Sequence, residues 1–493
     1  MENLYKKCII VGEQSINNIN SINNINNTND INSVNNINNT NDTNNKNNTN
    51  DKNNINNTND KNNLSSWWKK SENNKKRVMI CGTYPIGTSN GYSKVVYYIC
   101  KYLEKYDDIE LTIYGFQNVN NTSGSNIRND ISSKIKLHDA MATEDPKRNG
   151  FGEKEIGNYV KKNPQDIIII FNDSIVTTSL LQTLVKECWD EKKNFKLISY
   201  MDQVYPYQKK EYINLLNIFF DAIITFTSYW ETIARKLGIN DSKPIYNFPH
   251  GFDDNIYYPI DTKISRLYFK LPLDDFLVLN LNRNQPRKRW DITIIAWAKF
   301  VEKHYNEKKN NKEIKDIKLV IGTLMDGYWN LMDIFENEIK FTDVPWEYAK
   351  KTIFSVNLPQ QLSDRDINIL YNACDVGLNT ADGEGYGLCG FEGAGLGKAQ
   401  ISSYVGGIKE FLSNDFSIII KPTVPIYLDC KNIGIGGKAE LTSPYEYANA
   451  FWKYFNNPEL VKEHGYKSRE HILTHYRWET LVEYFYKNIL LKL

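Results

Sequence analysis

The sequence is poor in the features that mark secreted, zinc-binding and membrane-spanning proteins. It has seven cysteines in 493 residues, with no CxxC pair among them: Cys8, Cys81, Cys100, Cys188, Cys374, Cys389 and Cys430. An odd, scattered set encodes neither a disulfide framework nor a zinc ribbon, so a reducing compartment fits best. No apolar run approaches the roughly 20 residues of a membrane span, and the amino end MENLYKKCII lacks the apolar core of a secretion signal. These absences predict a cytoplasmic protein, and peripheral contact with a membrane stays open.

An excess of charge of one sign is also missing. The chain carries 60 Lys and Arg against 59 Asp and Glu, a formal net charge of +1 at pH 7. No overall basic excess is present to drive binding to nucleic acid or to an anionic membrane. We therefore expect no nucleic-acid partner, although a local basic patch is not excluded.

Residues 1–74 form a low-complexity, Asn-rich segment. From Asn17 to Asn63 the composition is almost entirely Asn with Ile, Thr, Asp and Lys, and the block NNTND recurs from positions 26, 38, 47 and 56. These spacings are too short for a solenoid repeat, and isolated Ile residues cannot bury enough surface to offset the chain entropy. We expect this segment to be mostly disordered.

From residue 75 to 255, short apolar runs alternate with amphipathic segments of helical length. Continuous apolar runs predict strands buried on both faces, and their alternation with helices predicts a parallel α/β domain. One predicted helix has Ser228 as its N-cap and ends at Gly238. The predicted strands are KKRVMICG, ELTIYGF, DIIIIF, KLISYM and DAIITF.

The same alternation starts again at residue 256, after the Pro- and Gly-bounded connection PHGFDDNIYYP, and continues to residue 475. Here the predicted strands are FLVLNLN, IKLVIG, DVGLNT, AQISS and FSIIIK. Two doubly wound halves of similar size predict two Rossmann-like domains facing one another across a cleft. Residues 476–493 are predicted to be helical and to pack back on the first domain.

The strongest local motif is DGEGYGLCGFEGAGLGK, residues 382–398, directly after the predicted strand DVGLNT. A helix starting near Gly387 would point its free N–H groups and positive dipole end beyond the strand, which favours an anion. Glu384 would lie at the mouth of this site and Glu392 one to two turns inside the helix, so the two carboxylates could contact different parts of one long ligand. The alternative is a glycine-rich turn with two solvated glutamates.

A second motif, LNRNQPRKRWD, places four cations on a turn after the first strand of the second half: Arg283, Arg287, Lys288 and Arg289. Such a cluster suits a diphosphate, because Arg binds phosphate in a bidentate manner and Lys supplies a mobile charge. The alternative is an exposed basic turn.

A third motif, CGTYPIGTSNGYSK, joins the first predicted strand to its helix through Gly82, Gly87 and Gly91. The pattern GxGxxG is absent, which weakens a nicotinamide-dinucleotide interpretation. Asp364 and Asp366 follow Ser363 at a predicted helix start, where acidic residues suit the dipole, so we expect capping there rather than a metal site.

In their order along residues 77–490, these motifs resemble those of the retaining family 4 glycosyltransferases, whose signature E-x7-E matches EGYGLCGFE. The resemblance implies a GT-B fold with an acceptor-binding N-terminal domain and a donor-binding C-terminal domain. It implies that Arg283 and Lys288 hold the donor diphosphate, Glu392 the ribose hydroxyls and Glu384 the transferred sugar. It further places backbone groups of Gly387 and Leu388 on the phosphate and sugar, and Gly91 close to the donor.

Two positions depart from the family. Members often carry a first-domain His near the donor sugar, whereas the corresponding strand ends here read FNDS and YMDQ. Asp173 and Asp202 are therefore only candidate substitutes, as acceptor base or sugar contact, and a structural role is the alternative for each. Asn90 precedes Gly91 where two small residues are common; Asn tolerates a left-handed backbone, so the turn could survive. His250 in PHGF is expected to be a structural residue of the connection.

The resulting hypothesis is a metal-independent, retaining glycosyltransferase that moves a hexosyl group from a UDP- or GDP-linked sugar to a hydroxyl acceptor, with no cofactor. Cations and helix N–H groups can stabilise the leaving diphosphate without a metal. The alternative from another class is a noncatalytic scaffold that binds sugar nucleotides. A nucleotide-sugar epimerase and a DNA glycosyltransferase are weaker alternatives, the second because of the balanced charge.

Overall fold

The structure, a computed structural model, describes residues 74–85, 90–118, 130–145, 147–356, 362–428 and 437–493, together with positions 71 and 128. The Asn-rich segment up to residue 70 and Gly87 of the glycine loop lie outside the described residues, so the predictions made for them stay predictions. No helix among the described residues is long and apolar enough to cross a membrane.

The first domain is built on a parallel seven-stranded sheet. Its strands are β1 (Lys76–Thr83), β2 (Ile109–Phe116), β3 (Lys136–Asp139), β4 (Ile167–Asn172), β5 (Lys196–Met201), β6 (Ala222–Thr225) and β7 (Ile245–Asn247). They lie in the order β3-β2-β1-β4-β5-β6-β7, with β1 and β4 buried at the centre. The order reverses between β1 and β4, and at such a point parallel sheets leave a crevice at the carboxyl ends of the strands.

In the described part of this domain the α-helices are α1 (Gly91–Leu103), α2 (Ile156–Lys162), α3 (Ser174–Cys188), α4 (Lys210–Phe219) and α5 (Ser228–Lys236). The predicted N-cap of α5 was wrong by one residue, because the hydroxyl of Thr227 accepts the hydrogen bond from Trp230 N while Ser228 is the first helical residue. Gly238 follows the helix with φ +104°, as a terminating glycine does.

The second domain repeats the design with a parallel six-stranded sheet in the order β10-β9-β8-β11-β12-β13. Its strands are β8 (Phe276–Asn280), β9 (Ile317–Ile321), β10 (Ile353–Ser355), β11 (Val376–Asn379), β12 (Ala399–Ser403) and β13 (Ile418–Ile420). An antiparallel hairpin of β14 (Val424–Tyr427) and β15 (Lys438–Leu441) follows. The expected pair of Rossmann-like sheets, and with it the fold class, is confirmed.

The helices from residue 262 onward are α6 (Thr262–Tyr268), α7 (Trp290–Asn310), α8 (Leu331–Lys340), α9 (Trp346–Ala349), α10 (Asp364–Ala373), α11 (Leu388–Gly395), α12 (Ile408–Phe411), α13 (Pro444–Phe455), α14 (Pro458–His475) and α15 (Trp478–Tyr484). A π-helical turn, Phe485–Leu490, continues α15.

The end of the chain packs on the first domain. Trp478 stacks on Tyr98 of α1 with ring centroids 5.1 Å apart, Tyr486 stacks on Tyr106, and Lys76 donates a hydrogen bond to the Leu490 carbonyl over 2.9 Å. A buried cluster of apolar residues accordingly runs from β1 and α1 through the connection to α11 and α15. The two sheets are thus held around a common cleft.

Candidate functional site

A cavity of about 260 Å³ lies between the domains, at the carboxyl ends of the central strands. The seven residues that the family resemblance assigns to the donor site all line it: Gly91, Arg283, Lys288, Glu384, Gly387, Leu388 and Glu392. The structure therefore brings together residues far apart in the sequence, such as Gly91 and Glu392, which are 301 positions apart.

Glu384 is buried in a cationic part of this cavity. Its carboxylate accepts a 2.8 Å hydrogen bond from Arg287 Nη1 and another from Lys288 Nζ. Burial by itself would raise the pKa of Glu384, but the charges of Lys288 and Arg287 outweigh it and lower the pKa. Burial and the charge of Arg287 together lower the pKa of Lys288. Arg287 and Lys288 carry two positive charges, of which the Glu384 carboxylate neutralises one.

Arg283 lies on the same turn and lines the cavity, but it is exposed. Among the described residues its guanidinium forms no hydrogen bond or ion pair, while its carbonyl accepts hydrogen bonds from Gln285 N and Trp290 Nε1. The backbone of the turn is thus fixed, and the charged end is available to an anion.

Helix α11 begins at the cavity wall, as the glutamate motif predicted. Its N-cap Gly387 has φ +96°, a left-handed conformation that favours glycine, and a Cβ there would lie 2.4 Å from Ile408 Cδ1. No side chain caps the helix, so its first N–H groups are free to bind an anion at the positive dipole end.

Glu392 lies deeper in α11 and is held from the other domain. Lys94 Nζ of α1 donates a 2.6 Å hydrogen bond to its carboxylate, and the Tyr371 hydroxyl donates another over 3.2 Å. Lys94 also donates to Tyr257 Oη over 2.6 Å. Lys94 was not predicted as a site residue, because a lysine in an amphipathic helix resembles any solvated one.

Gly91, the first residue of α1, lies at the same wall of the cavity. A Cβ on Gly91 would lie 2.9 Å from Leu388 Cδ1, so this position permits close approach of the two domains. Asn90 is in extended conformation and caps α1 by accepting from Ser93 N over 2.8 Å, so the left-handed turn considered for it is not the observed geometry.

The two substitute candidates have different positions. Asp173 caps α3 through hydrogen bonds from Ile175 N and Val176 N. Asp202 lines the cavity and accepts a hydrogen bond from the Tyr92 hydroxyl. Burial raises the pKa of Asp202 to about 6. Asp202, not Asp173, is therefore the first-domain carboxylate of the site.

Of the pair Asp364 and Asp366, only Asp366 follows the capping prediction. Ser363 and Asp366 form a capping box at the start of α10, and Asp364 accepts hydrogen bonds from Tyr257 and Arg128, each over 3.4 Å. Both carboxylates are thus engaged by helix capping or by neighbouring side chains.

Comparisons with known proteins agree with this architecture. No protein-family profile matches the sequence. A D-inositol 3-phosphate glycosyltransferase of Acidothermus cellulolyticus is 25% identical over 190 residues, 38% of this chain and 39% of that protein, so the match spans well under half of the relative's length. Among solved structures, a sucrose-phosphate synthase from Thermosynechococcus elongatus matches with TM-score 0.61 and 14% identity over 85% of this chain and 100% of the other. HepE of Anabaena, crystallised with UDP and glucose, matches with TM-score 0.58 and 14% identity over the same shares.

The fold and the interdomain cavity define a GT-B protein. The sequence relative and these structures support the expected resemblance to the family 4 group of glycosyltransferases. Retention of configuration and the roles of individual side chains stay predictions.

Proposed function

We propose that this chain is a metal-independent, retaining glycosyltransferase that moves a hexosyl group from a UDP- or GDP-linked sugar to a hydroxyl acceptor. The observation that carries the proposal is the single cavity in which the cationic turn, the free start of α11 and both glutamates meet. The sequence relative is named a glycosyltransferase, and HepE was crystallised with UDP and glucose, which supports a nucleotide-sugar donor.

The chemistry that this cavity offers is stabilisation of a leaving group. When the bond between the anomeric carbon and the diphosphate oxygen breaks, negative charge builds on the diphosphate. Arg283, Lys288 and the N–H groups at Gly387 and Leu388 would offset that charge, and preorganised donors of this kind contribute several kcal/mol. Glu384 would bind hydroxyls of the transferred sugar and Glu392 those of the ribose.

The acceptor would approach from the first domain, because the donor occupies the opposite wall of the cleft. In a front-face displacement, the acceptor oxygen forms a bond to the anomeric carbon on the face from which the diphosphate leaves. The acceptor proton passes to the departing phosphate oxygen. No protein nucleophile is required, and the product keeps the configuration of the donor.

A noncatalytic scaffold that binds sugar nucleotides is the second candidate, and an epimerase or a DNA glycosyltransferase is a weaker one. The joint presence of Arg283, Lys288, Glu384 and Glu392 in one cavity favours catalysis over a scaffold, since a protein without selection for transfer need not keep all four. The location is proposed to be cytoplasmic.

The test combines a thermal-shift screen of UDP, GDP, UDP-glucose and GDP-mannose with analysis of the products in excess EDTA. We expect stabilisation by one nucleotide series and release of nucleoside diphosphate with or without an added sugar acceptor, unchanged by the chelator. Binding without turnover would favour the scaffold, and an isomerised nucleotide sugar would favour the epimerase. Activity that is lost in EDTA and restored by manganese would contradict metal independence.

A further inference from the structure

His250 is a buried residue whose two ring nitrogens have no hydrogen-bond partner among the described residues. It lies in the connection after β7, is 4% exposed and lines the interdomain cavity. Neither Nδ1 nor Nε2 forms a hydrogen bond with any described residue. Buried polar atoms are nearly always hydrogen-bonded, so this ring requires an explanation.

Two other buried histidines show the usual arrangement. His304 Nδ1 is 2.7 Å from the Tyr348 hydroxyl and its Nε2 is 2.8 Å from the Lys315 carbonyl. His464 Nδ1 is 2.8 Å from the Tyr454 hydroxyl. The fold therefore satisfies buried imidazoles elsewhere, and a purely structural role for His250 would be expected to do the same.

The surroundings of His250 keep its ring neutral and in place. Its centroid is 4.5 Å from that of Phe226 and 4.6 Å from that of Tyr386, and the Tyr386 hydroxyl donates a 2.9 Å hydrogen bond to the His250 carbonyl. Burial lowers the pKa of His250 to about 3. A neutral imidazole has one N–H donor and one acceptor nitrogen, a pair of functions that a sugar hydroxyl matches.

The position of this ring points to one part of the donor. Tyr386 is two residues from Glu384, the carboxylate assigned to the transferred sugar. A Cβ on the intervening Gly385 would lie 2.3 Å from Asp202 Oδ1 and 3.3 Å from Phe226 Cε2. Because Phe226 also packs on His250, Asp202 and the glutamate motif both lie near the imidazole. The diphosphate-binding cations belong instead to the turn after β8.

We propose that His250 hydrogen-bonds a hydroxyl group of the transferred hexosyl unit and is thereby a specificity-determining contact of the donor site. This inference rests on the proposed function, since it assigns a residue to the sugar of the same donor. The connection between the domains, rather than a strand end of the first domain, supplies the imidazole.

The test compares UDP with UDP-glucose, and GDP with GDP-mannose, by titration calorimetry on the wild type and on His250→Phe. Phenylalanine keeps the ring packing and removes both polar atoms. We expect affinity for the bare nucleotide to change less than about twofold and affinity for the nucleotide sugar to fall roughly 5- to 150-fold, the cost of leaving a buried hydroxyl unpaired. His250→Asn, which keeps a donor and an acceptor, should regain part of this loss.

A set of donor analogues, each lacking one hydroxyl of the sugar, identifies the hydroxyl that His250 contacts. The loss caused by His250→Phe should disappear for the analogue missing the contacted hydroxyl, because the two changes remove one interaction. The melting temperature of the free variant should not fall, since no hydrogen bond to the ring is lost. His138→Phe, at a first-domain ring stacked on Tyr114, is the control and should leave both affinities unchanged.

Three results would overturn the inference. One is a His250→Phe variant that binds the nucleotide sugar as the wild type does; another is an equal loss for the nucleotide and the nucleotide sugar; the third is a loss that is the same for every deoxy analogue. In all three the wild type binds nucleotide sugars and the proposed function stands. A wild type that binds neither nucleotide series contradicts the proposed function and this inference together.

Discussion

Replacing Asp202 with asparagine should stabilise the free protein near neutral pH, and the gain should disappear in acid. Burial raises the pKa of this carboxyl from 3.8 to about 6. Below about pH 3 this carboxyl is largely protonated in both the folded and the unfolded state. As the pH rises towards 6, the unfolded state ionises before the folded one, so the free energy of unfolding falls.

The magnitude follows from the shift of about two pKa units. At 1.36 kcal/mol per unit, the ionisation of Asp202 costs about 3 kcal/mol well above pH 6, of which about 1.5 kcal/mol develops between pH 4.5 and 6. Asparagine has nearly the same shape, does not titrate and can still accept the hydrogen bond from Tyr92. The free energy of unfolding of Asp202→Asn, minus that of the wild type, should therefore rise by about 1.5 kcal/mol between pH 4.5 and 6 and by about 2 kcal/mol between pH 4.5 and 7.5.

Urea denaturation of both proteins at steps of about half a pH unit between pH 4.5 and 7.5 measures this difference directly. Tyr92→Phe is the matched variant. The hydrogen bond from Tyr92 lowers the pKa of Asp202, so removing it should move the loss of stability to higher pH. A difference between Asp202→Asn and wild type that does not change with pH, or that changes in the opposite direction, would refute the reasoning.

The other predictions concern the cationic turn, the glutamate motif and a glycine that contacts this motif. Lys288→Ala should weaken UDP or GDP binding and lower turnover, because the leaving diphosphate loses a cation that faces it. The loss of transition-state stabilisation should be about 2 to 4 kcal/mol. Glu384→Gln should reduce transfer while diphosphate affinity stays equal or rises, since a negative charge beside Lys288 and Arg287 is removed; a loss of diphosphate affinity as large as that of Lys288→Ala would contradict this. Gly406→Ala should abolish nucleotide-sugar binding in a thermal-shift assay, because φ is +48° and a Cβ would lie 1.9 Å from the Glu384 carbonyl oxygen. Gly238→Ala, also at positive φ but with no atom within 4 Å of its Cβ, should cost only about 1 kcal/mol of stability and keep binding; equal behaviour of the two variants would contradict the steric argument.

Much of the fold could be predicted because parallel strands buried on both faces leave continuous apolar runs in the sequence. DIIIIF and FLVLNLN are examples, and the strands found there are β4 and β8. The short strands β3, β7 and β10 were not predicted, since three or four partly exposed residues carry no such run.

The second-domain wall of the site was predictable for a related reason. The glutamate motif and the cationic turn each follow a predicted strand, and the carboxyl ends of parallel strands in one sheet lie at the same edge. Placing Glu384 and Lys288 on that edge therefore needed only the order of the elements. Their direct hydrogen bond was not predicted, because it depends on how the two loops fold towards each other.

Most first-domain residues of the cavity could not be predicted from the sequence, and Lys94 shows the physical reason. A local pattern reports which face of a helix is apolar, but not which element of another domain that face meets. Lys94 is followed by the apolar pair Val95 and Val96 and resembles the polar edge of an amphipathic helix, yet its ammonium group is buried against Glu392, 298 residues away. An ion pair removed from water stabilises only when its geometry and its further hydrogen bonds are good, and here Tyr257 and Tyr371 complete it. The relative position of the two domains therefore determines the state of the Glu392 carboxylate, and that position is a property of the whole interface that no single motif encodes.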